Sequence, residues 1–482
     1  MKKVNLRLLA MFFAAFALGV TMTSCDDDDD DNNTNNEEPD ATYKYYNGNT
    51  VFSVDEDEAT VTIKDNGDGV GTKTFYADTT YVLDGFVFVN GGQELTIEPG
   101  TMVQGLPGQG ENAAALVVAK EGKIMANGTA DAPIVFTAYN DNYSGDAYSK
   151  TTRGLWGGVI ILGKASTNEP VDIMQIEGIP ETEPRGAYGV ASGADDSDNS
   201  GVFKYVQIRH GGTDIGAGNE INGLSMGAVG NGTEIHHVEV IANKDDGLEW
   251  FGGSVNTSHI LVSYCGDDSY DYDQGFHGNG QFWATIQAEA HGRVGEHDGG
   301  HEEETAEPYG MPTIYNATYI GYGDGTMITF RDNAGGTYAN SIFTNAEDGI
   351  EVEYRGDKEK SSVWMFENGN LHLKNNVFYN VAGDGLVTDE AESGAFTWYV
   401  EEEGDQYALP ATIGQDLADH FNNNNNVFED LGVTLENVMP TGAGSNGQAA
   451  LPDDDFFKEA NYHGAFDPNG SNWAEGWTLT FN

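Results

Sequence analysis

Six acidic residues recur at a fixed interval, and a seventh stands beside them. Asp245, Asp246 and Glu249 are followed by Asp267, Asp268, Asp271 and Asp273, and the second Asp-Asp pair lies 22 residues after the first. If 22 residues is one structural period, Asp245 stacks near Asp267 and Asp246 near Asp268. Two carboxylates at the spacing of adjacent strands, about 4.8 Å, repel by roughly 1 kcal/mol in water and by several where water is scarce. A cation, hydrogen-bond donors or protonation must relieve that. Calcium suits clustered oxygen ligands, so this column is a candidate Ca2+ site. The alternative is that the acids bond to backbone amides in Asx-turns.

A second group, Glu296, His297, Asp298 and His301, places two imidazoles four apart among carboxylates. It is a second candidate for zinc or another divalent ion. Gly299 and Gly300 between the histidines disfavour the helical form of a zinc motif, and a solvated loop from 287 to 312 is the competing reading. Large aromatics are numerous, among them Trp156, Trp250, Phe251, Phe276, Phe282, Trp283, Trp364 and Trp398. Trp250 and Trp283 flank the acids and are the expected ligand contacts, because an exposed ring stacks on sugars or anchors a protein partner. Burial in the core is the competing fate.

The elements that must position these groups are short strands. The chain has 64 Gly and only 13 Pro, and short runs of β-branched or aromatic residues end in Asn, Asp and Gly. His237-Val238-Glu239-Val240 leads to Asp245-Asp246-Gly247-Leu248, and His259-Ile260-Leu261-Val262 leads to Asp267-Asp268-Ser269-Tyr270. Ser341-Ile342-Phe343 and Asn376-Val377-Phe378 open two further copies, ending at Ile350 and Leu386. A period in the low twenties predicts an all-β fold, a right-handed parallel β-helix with one coil per repeat. Roughly 11 to 14 coils are expected between 81 and 400. A sandwich or propeller would need hairpin signals or blade-length repeats, which are not evident. A strand-rich cap is expected over 43–80 and an irregular cap over 401–482, since an open coil end would template edge pairing.

The coil grammar resembles the pectin-lyase-like superfamily. The stretches 246–253, 266–271 and 280–283 are similar to a group of outer-surface lipoproteins with that fold and no established activity. Arg209-His210-Gly211-Gly212 resembles the His-Gly and basic residue of pectin-degrading glycosidases. That likeness implies Arg209, His210, Asp246 and Asp268 as catalytic candidates, with the paired carboxylates as acid and base. Pectate-lyase chemistry would instead use Ca2+ with an arginine base, from Arg209, Arg331 or Arg355. The signature that grips a uronate is not recognisable.

The amino terminus gives an address. Lys2, Lys3 and Arg7 precede an apolar run from Leu8 to Val20 too short to span a bilayer, then Thr23-Ser24-Cys25. This resembles a bacterial lipobox with lipidation at Cys25, Met22 standing where leucine is usual. The expected divisions are a signal peptide over 1–24 and an acidic tether over 25–42. Six aspartates after Cys25 resemble the surface-export signal of Bacteroidota-type lipoproteins. The expected location is therefore the outer membrane, facing outward. A net charge of -56, from 78 acids against 22 Lys plus Arg, argues against nucleic acid. With Cys25 lipidated, Cys265 is the one remaining thiol, so no intrachain disulfide is expected. The expected function is a surface binding or scaffold protein for a glycan, a solute or an outer-membrane transporter partner, calcium-dependent through the acidic column. An adhesin without a small ligand, or a polysaccharide lyase or glycoside hydrolase, is the alternative.

Overall fold

A computed structural model describes residues 42–482 apart from 170–173, 191, 217–218, 302–303, 388–392, 403 and 405. Cys25, the signal peptide and the tether up to residue 41 lie outside the described residues, as do Glu302 and Glu303. The described unit is a right-handed parallel β-helix. A small sheet of ten strands runs from Phe86–Val89 to Phe396–Glu402, and a large sheet of twenty strands wraps the rest of each coil. The ten strands fall short of the expected coil number because several coils carry long insertions, notably 139–158 and 163–200.

The first three strands, Thr42–Asn47, Thr50–Asp55 and Thr60–Lys64, form an antiparallel meander. The third then pairs in parallel with Thr80–Leu83, and Lys73–Phe75 pairs with Glu94–Ile97. The helix therefore begins inside the segment expected to be a cap. Its interior follows from alternation along each strand. In the small sheet Trp250, Tyr272, His297, Phe330, Val352 and Trp398 occupy one column, and all are buried. The neighbouring column of Glu249, Asp271, Glu296, Thr329 and Glu351 faces outward, so the pleat itself separates aromatic core from acidic surface.

One corner of the large sheet requires left-handed backbone in eight successive coils. Tyr205, His237, His259 and Phe282 hold it with φ of 47°, 53°, 54° and 59°. Asn316, Asn340, Asn375 and Asn425 hold it with 56°, 54°, 53° and 56°. Asparagine tolerates this conformation; tyrosine and phenylalanine do so only under strain. Ring stacking compensates, with Tyr205 on His237 at 4.4 Å, His237 on His259 at 4.2 Å and His259 on Phe282 at 4.8 Å. One residue further on, asparagine ladders tie the later coils: Ser341 N donates to Asn376 Oδ1 at 2.9 Å and Asn376 N to Asn426 Oδ1 at 3.0 Å.

The carboxy-terminal region, expected as an irregular cap over 401–482, packs on the last coil and also runs back along the stack. The helix Ile413–Asn423 does close the last coil, burying Leu417 and Phe421, whose ring lies 5.1 Å from Phe378. After Val427–Phe428 the chain turns back and straps the outer face of the large sheet. That face is apolar at Leu261, Ala284, Ile320 and Ile342, and the strap covers it with Leu431, Val433, Phe466 and Ala474. Polar pegs fix the strap. Gln281 exchanges hydrogen bonds with Lys458 at 2.8 Å each, and buried Glu239 accepts from the amides of Leu479 and Thr480.

Candidate metal centre

The period of 22 residues is one coil, with Leu248 opposite Tyr270, Glu249 opposite Asp271 and Phe251 opposite Asp273. Asp246 and Asp268 stack at the turn entering these strands, where Asp268 N donates to Asp246 Oδ1 at 2.8 Å. Two groups of carboxylates converge: in each of Asp246, Glu249, Asp271 and Asp245, Asp246, Asp267, one oxygen per residue lies within 4.8 Å of the others. Asp246, Glu249 and Asp268 are buried, Asp245 and Asp271 partly buried, and Asp267 exposed. Hydrogen bonds meet part of the demand. Asn222 Nδ2 donates to Glu249, and Arg293 N donates to Asp268. Asp271 Oδ1 is buried with no donor.

Burial, followed by mutual repulsion, makes these acids hard to ionise. Asp246, Glu249, Asp268 and Asp271 are raised well above the usual carboxylate range, the neighbouring charges being Asp268, Asp271, Glu296 and Asp246 respectively. Asp245 is raised to about 7 by burial and then by Glu220 and Glu177, and Asp273 to about 8 by burial and then Asp298. A divalent cation would remove the repulsion, and the all-oxygen donor set fits a hard ion. The amide that satisfies Asp246 comes from Asp268 in the next coil, 22 residues on, so it is a rung-to-rung bond and not a local Asx-turn, and Asp271 Oδ1 is left without a donor.

Further along the face, arginines balance the acids. Arg293 pairs with Glu296, and Arg331 with Asp298 and, at 2.9 Å, with Glu296; Arg355 reaches Asp332 at 2.8 Å. Glu296 and Asp298 are thus ion-paired rather than gathered around an ion. His297 is a correction: it points inward, fully buried, stacked on Tyr272 at 4.1 Å and bonded through Nε2 to the Tyr338 hydroxyl at 2.7 Å. Burial lowers its pKa to about 3. His301 is exposed at the following turn, its amide donating to Glu169 at 3.0 Å. The two histidines share no site because Gly295–Asp298 is a strand, where alternation sends His297 inward. The solvated-loop alternative fails over these four residues for the same reason.

Two more expectations are corrected. Trp250 and Trp283 are not exposed contacts; both are fully buried and stacked on each other at 5.0 Å and 8°. Each lies on the inward side of its strand, where large apolar area is most stabilising. Arg209 and His210 are also buried, on the large sheet. Arg209 donates to Gln207 at 2.7 Å and to the carbonyls of Asn142 and Tyr143 at 3.2 Å each, while His210 Nδ1 meets the Thr152 carbonyl at 2.7 Å. Apart from Gln207 on the same strand, these partners come from the 139–158 insertion, whereas Asp246 and Asp268 border the small sheet. The four catalytic candidates therefore do not form one open groove.

Glu177 and Glu220, which raise Asp245, have no spacing that would have marked them in the sequence; the 163–200 insertion brings Glu177 in. A second concave region lies on the large sheet. An open groove of about 460 Å³ on the large sheet is lined by Glu234, His236, His237, His259, Phe282 and Lys458, among others. Its signal was available, because His237 and His259 repeat at the same 22-residue interval as the aspartates.

Comparison with known proteins gives one family. A search of curated proteins and a search of solved structures each returned no match. The family model of the pectate-lyase like beta helix domain matches residues 67–478, which spans the parallel stack after its first strand, the closing helix and nearly all of the strap. This chain belongs to the pectate-lyase-like β-helix family.

Proposed function

We propose that the chain is a lipoprotein of the Bacteroidota type, held at the outer face of the outer membrane by lipid on Cys25. Its β-helix acts as a rigid, cation-dependent binding or scaffold rod for a glycan, a solute or an outer-membrane transporter partner. The observation that carries the reading is the convergence of Asp246, Glu249 and Asp271, one oxygen of each within 4.8 Å of the others, on two hydrogen-bonded successive coils. Calcium is the favoured ion. Once bound, it neutralises the face and presents open coordination positions to hydroxyl or carboxylate oxygens of a ligand.

A lyase is the second reading, favoured by Arg293 and Arg331 standing beside the acids. A β-elimination base must give up its proton, and these guanidiniums hold theirs. Although burial opposes the charge on Arg331, Asp298 and Glu296 outweigh it and raise its pKa. The binding reading therefore asks less of the residues present.

The mature chain incubated with immobilised acidic and neutral glycans, in Ca2+ or in chelator, tests both readings. Ca2+-dependent retention without unsaturated product supports binding, and unsaturated uronate in the same reactions supports the lyase. Retention unaffected by chelator would overturn the calcium dependence. Cys25→Ala should release the protein from the membrane fraction, and protease added to intact cells should degrade the wild type if it faces outward.

A further inference from the structure

We propose that His236 and His237 form a binding site for a borderline divalent transition metal, Cu2+ or Zn2+, at the edge of the groove on the large sheet. Their Nδ1 atoms face each other at 2.7 Å. Glu234 Oε1 lies 3.1 Å from His236 Nε2, and a carboxylate accepts, so Nε2 carries the proton and His236 Nδ1 offers its lone pair. This carboxylate-imidazole pairing is the arrangement that fixes a metal-ligating histidine. Lys204 in turn holds Glu234 at 3.2 Å.

His237 Nδ1 then donates the shared proton to His236. A metal takes the place of that proton: His237 moves its hydrogen to Nε2, both Nδ1 lone pairs turn to the ion, and no net proton is released. With metal-nitrogen bonds of about 2.0–2.1 Å, a tetrahedral pair needs its nitrogens about 3.3 Å apart, so the rings must separate by roughly 0.6 Å. The His236 side chain, 27% exposed, has room to turn outward. His237 is fixed by its stack between Tyr205 and His259 and by Trp473 and Trp477 of the strap.

Ligation uses the neutral ring, and burial favours that form in both. Burial lowers His236, and burial followed by His259 and His236 lowers His237 to about 2. The corner also carries backbone strain where later coils use asparagine, and such strain persists only where the surroundings enforce it. Imidazole selects Cu2+ or Zn2+ over Ca2+, so this site and the acidic face sort ions by ligand type. The groove volume leaves room for a further ligand on the metal.

The test is titration of tag-free mature protein with Cu2+ in saturating Ca2+, read by calorimetry and by electron paramagnetic resonance. Coupling to two imidazole nitrogens is expected. His236→Gln and His237→Asn should each weaken Cu2+ binding by at least about 10-fold to 100-fold, and Glu234→Gln by less. His301→Asn, at an exposed position outside both sites, should leave it unchanged. Asparagine at 237 suits the left-handed corner, so the melt of that variant should stay close to wild type; if it does not fold, His236→Gln decides alone. Cu2+ affinity unchanged in His236→Gln, or a spectrum without nitrogen coupling, overturns the site.

Discussion

The acidic face and the aromatic corner lie on the same coils, with Asp246 over Asp268 on one and His237 over His259 on the other, yet burial acts on them with opposite sign. It pushes carboxylates up and imidazoles down, so both ladders are driven toward neutrality. The difference lies in what neutrality costs at a given pH. The acids reach it by holding protons or a cation, whereas the imidazoles reach it by releasing protons and stacking.

The broadest way to break this comparison is to remove the core beneath both. Trp283 stacks on Trp250, adjacent in sequence to Glu249, and itself follows Phe282 of the corner. Trp283→Ala should cost about 3–5 kcal/mol in chemical denaturation, and unaltered stability would mean that the aromatic block is not shared. Next comes pH. Carboxylates whose folded pKa is raised stabilise the fold fully below their unfolded value and lose that contribution as pH rises through the folded one. The metal-free chain should therefore lose acidic-face stability from about pH 4 through the values near 7 and 8 of Asp245 and Asp273. The imidazoles run the other way. Their contribution is full above about 6.5 and falls away as pH drops toward about 4 at His259 and about 2 at His237. Melts across pH with and without Ca2+ separate the two, since Ca2+ should restore only the loss at high pH.

Smaller effects sharpen the contrast. His259→Val should destabilise by about 1–3 kcal/mol more than His259→Asn, although valine is the more apolar, because the corner demands left-handed backbone. Equal melts would show that stacking rather than backbone sets the residue. At the bottom of the scale, Asp267→Asn, at an exposed position, should shift stability by less than about 0.5 kcal/mol, in contrast with buried Asp246.

The coil period was legible because each turn needs the same short strand and Asx-rich corner, and it placed Asp246 over Asp268 directly. The facing of alternate residues was also implicit: Glu249 and Trp250 must point to opposite sides of one strand. An outward acid sends its neighbour inward, so Glu249 places Trp250 in the core and Glu296 does the same for His297. The strap was less legible, since Leu431, Val433 and Phe466 show no period and are specified only by the apolar face they cover. The burial of Arg209 is not legible locally, because no pattern around it records that the 139–158 insertion folds over it.

The most direct measurement is the melting temperature of the mature chain at pH 8 in excess chelator and in Ca2+, for wild type and for Asp271→Asn. Calcium at about 100 times its dissociation constant should stabilise the wild type by about 2.7 kcal/mol. In Asp271→Asn the metal-free melt should rise and the calcium response shrink. A wild-type melt that calcium does not move would contradict the metal centre on the acidic face.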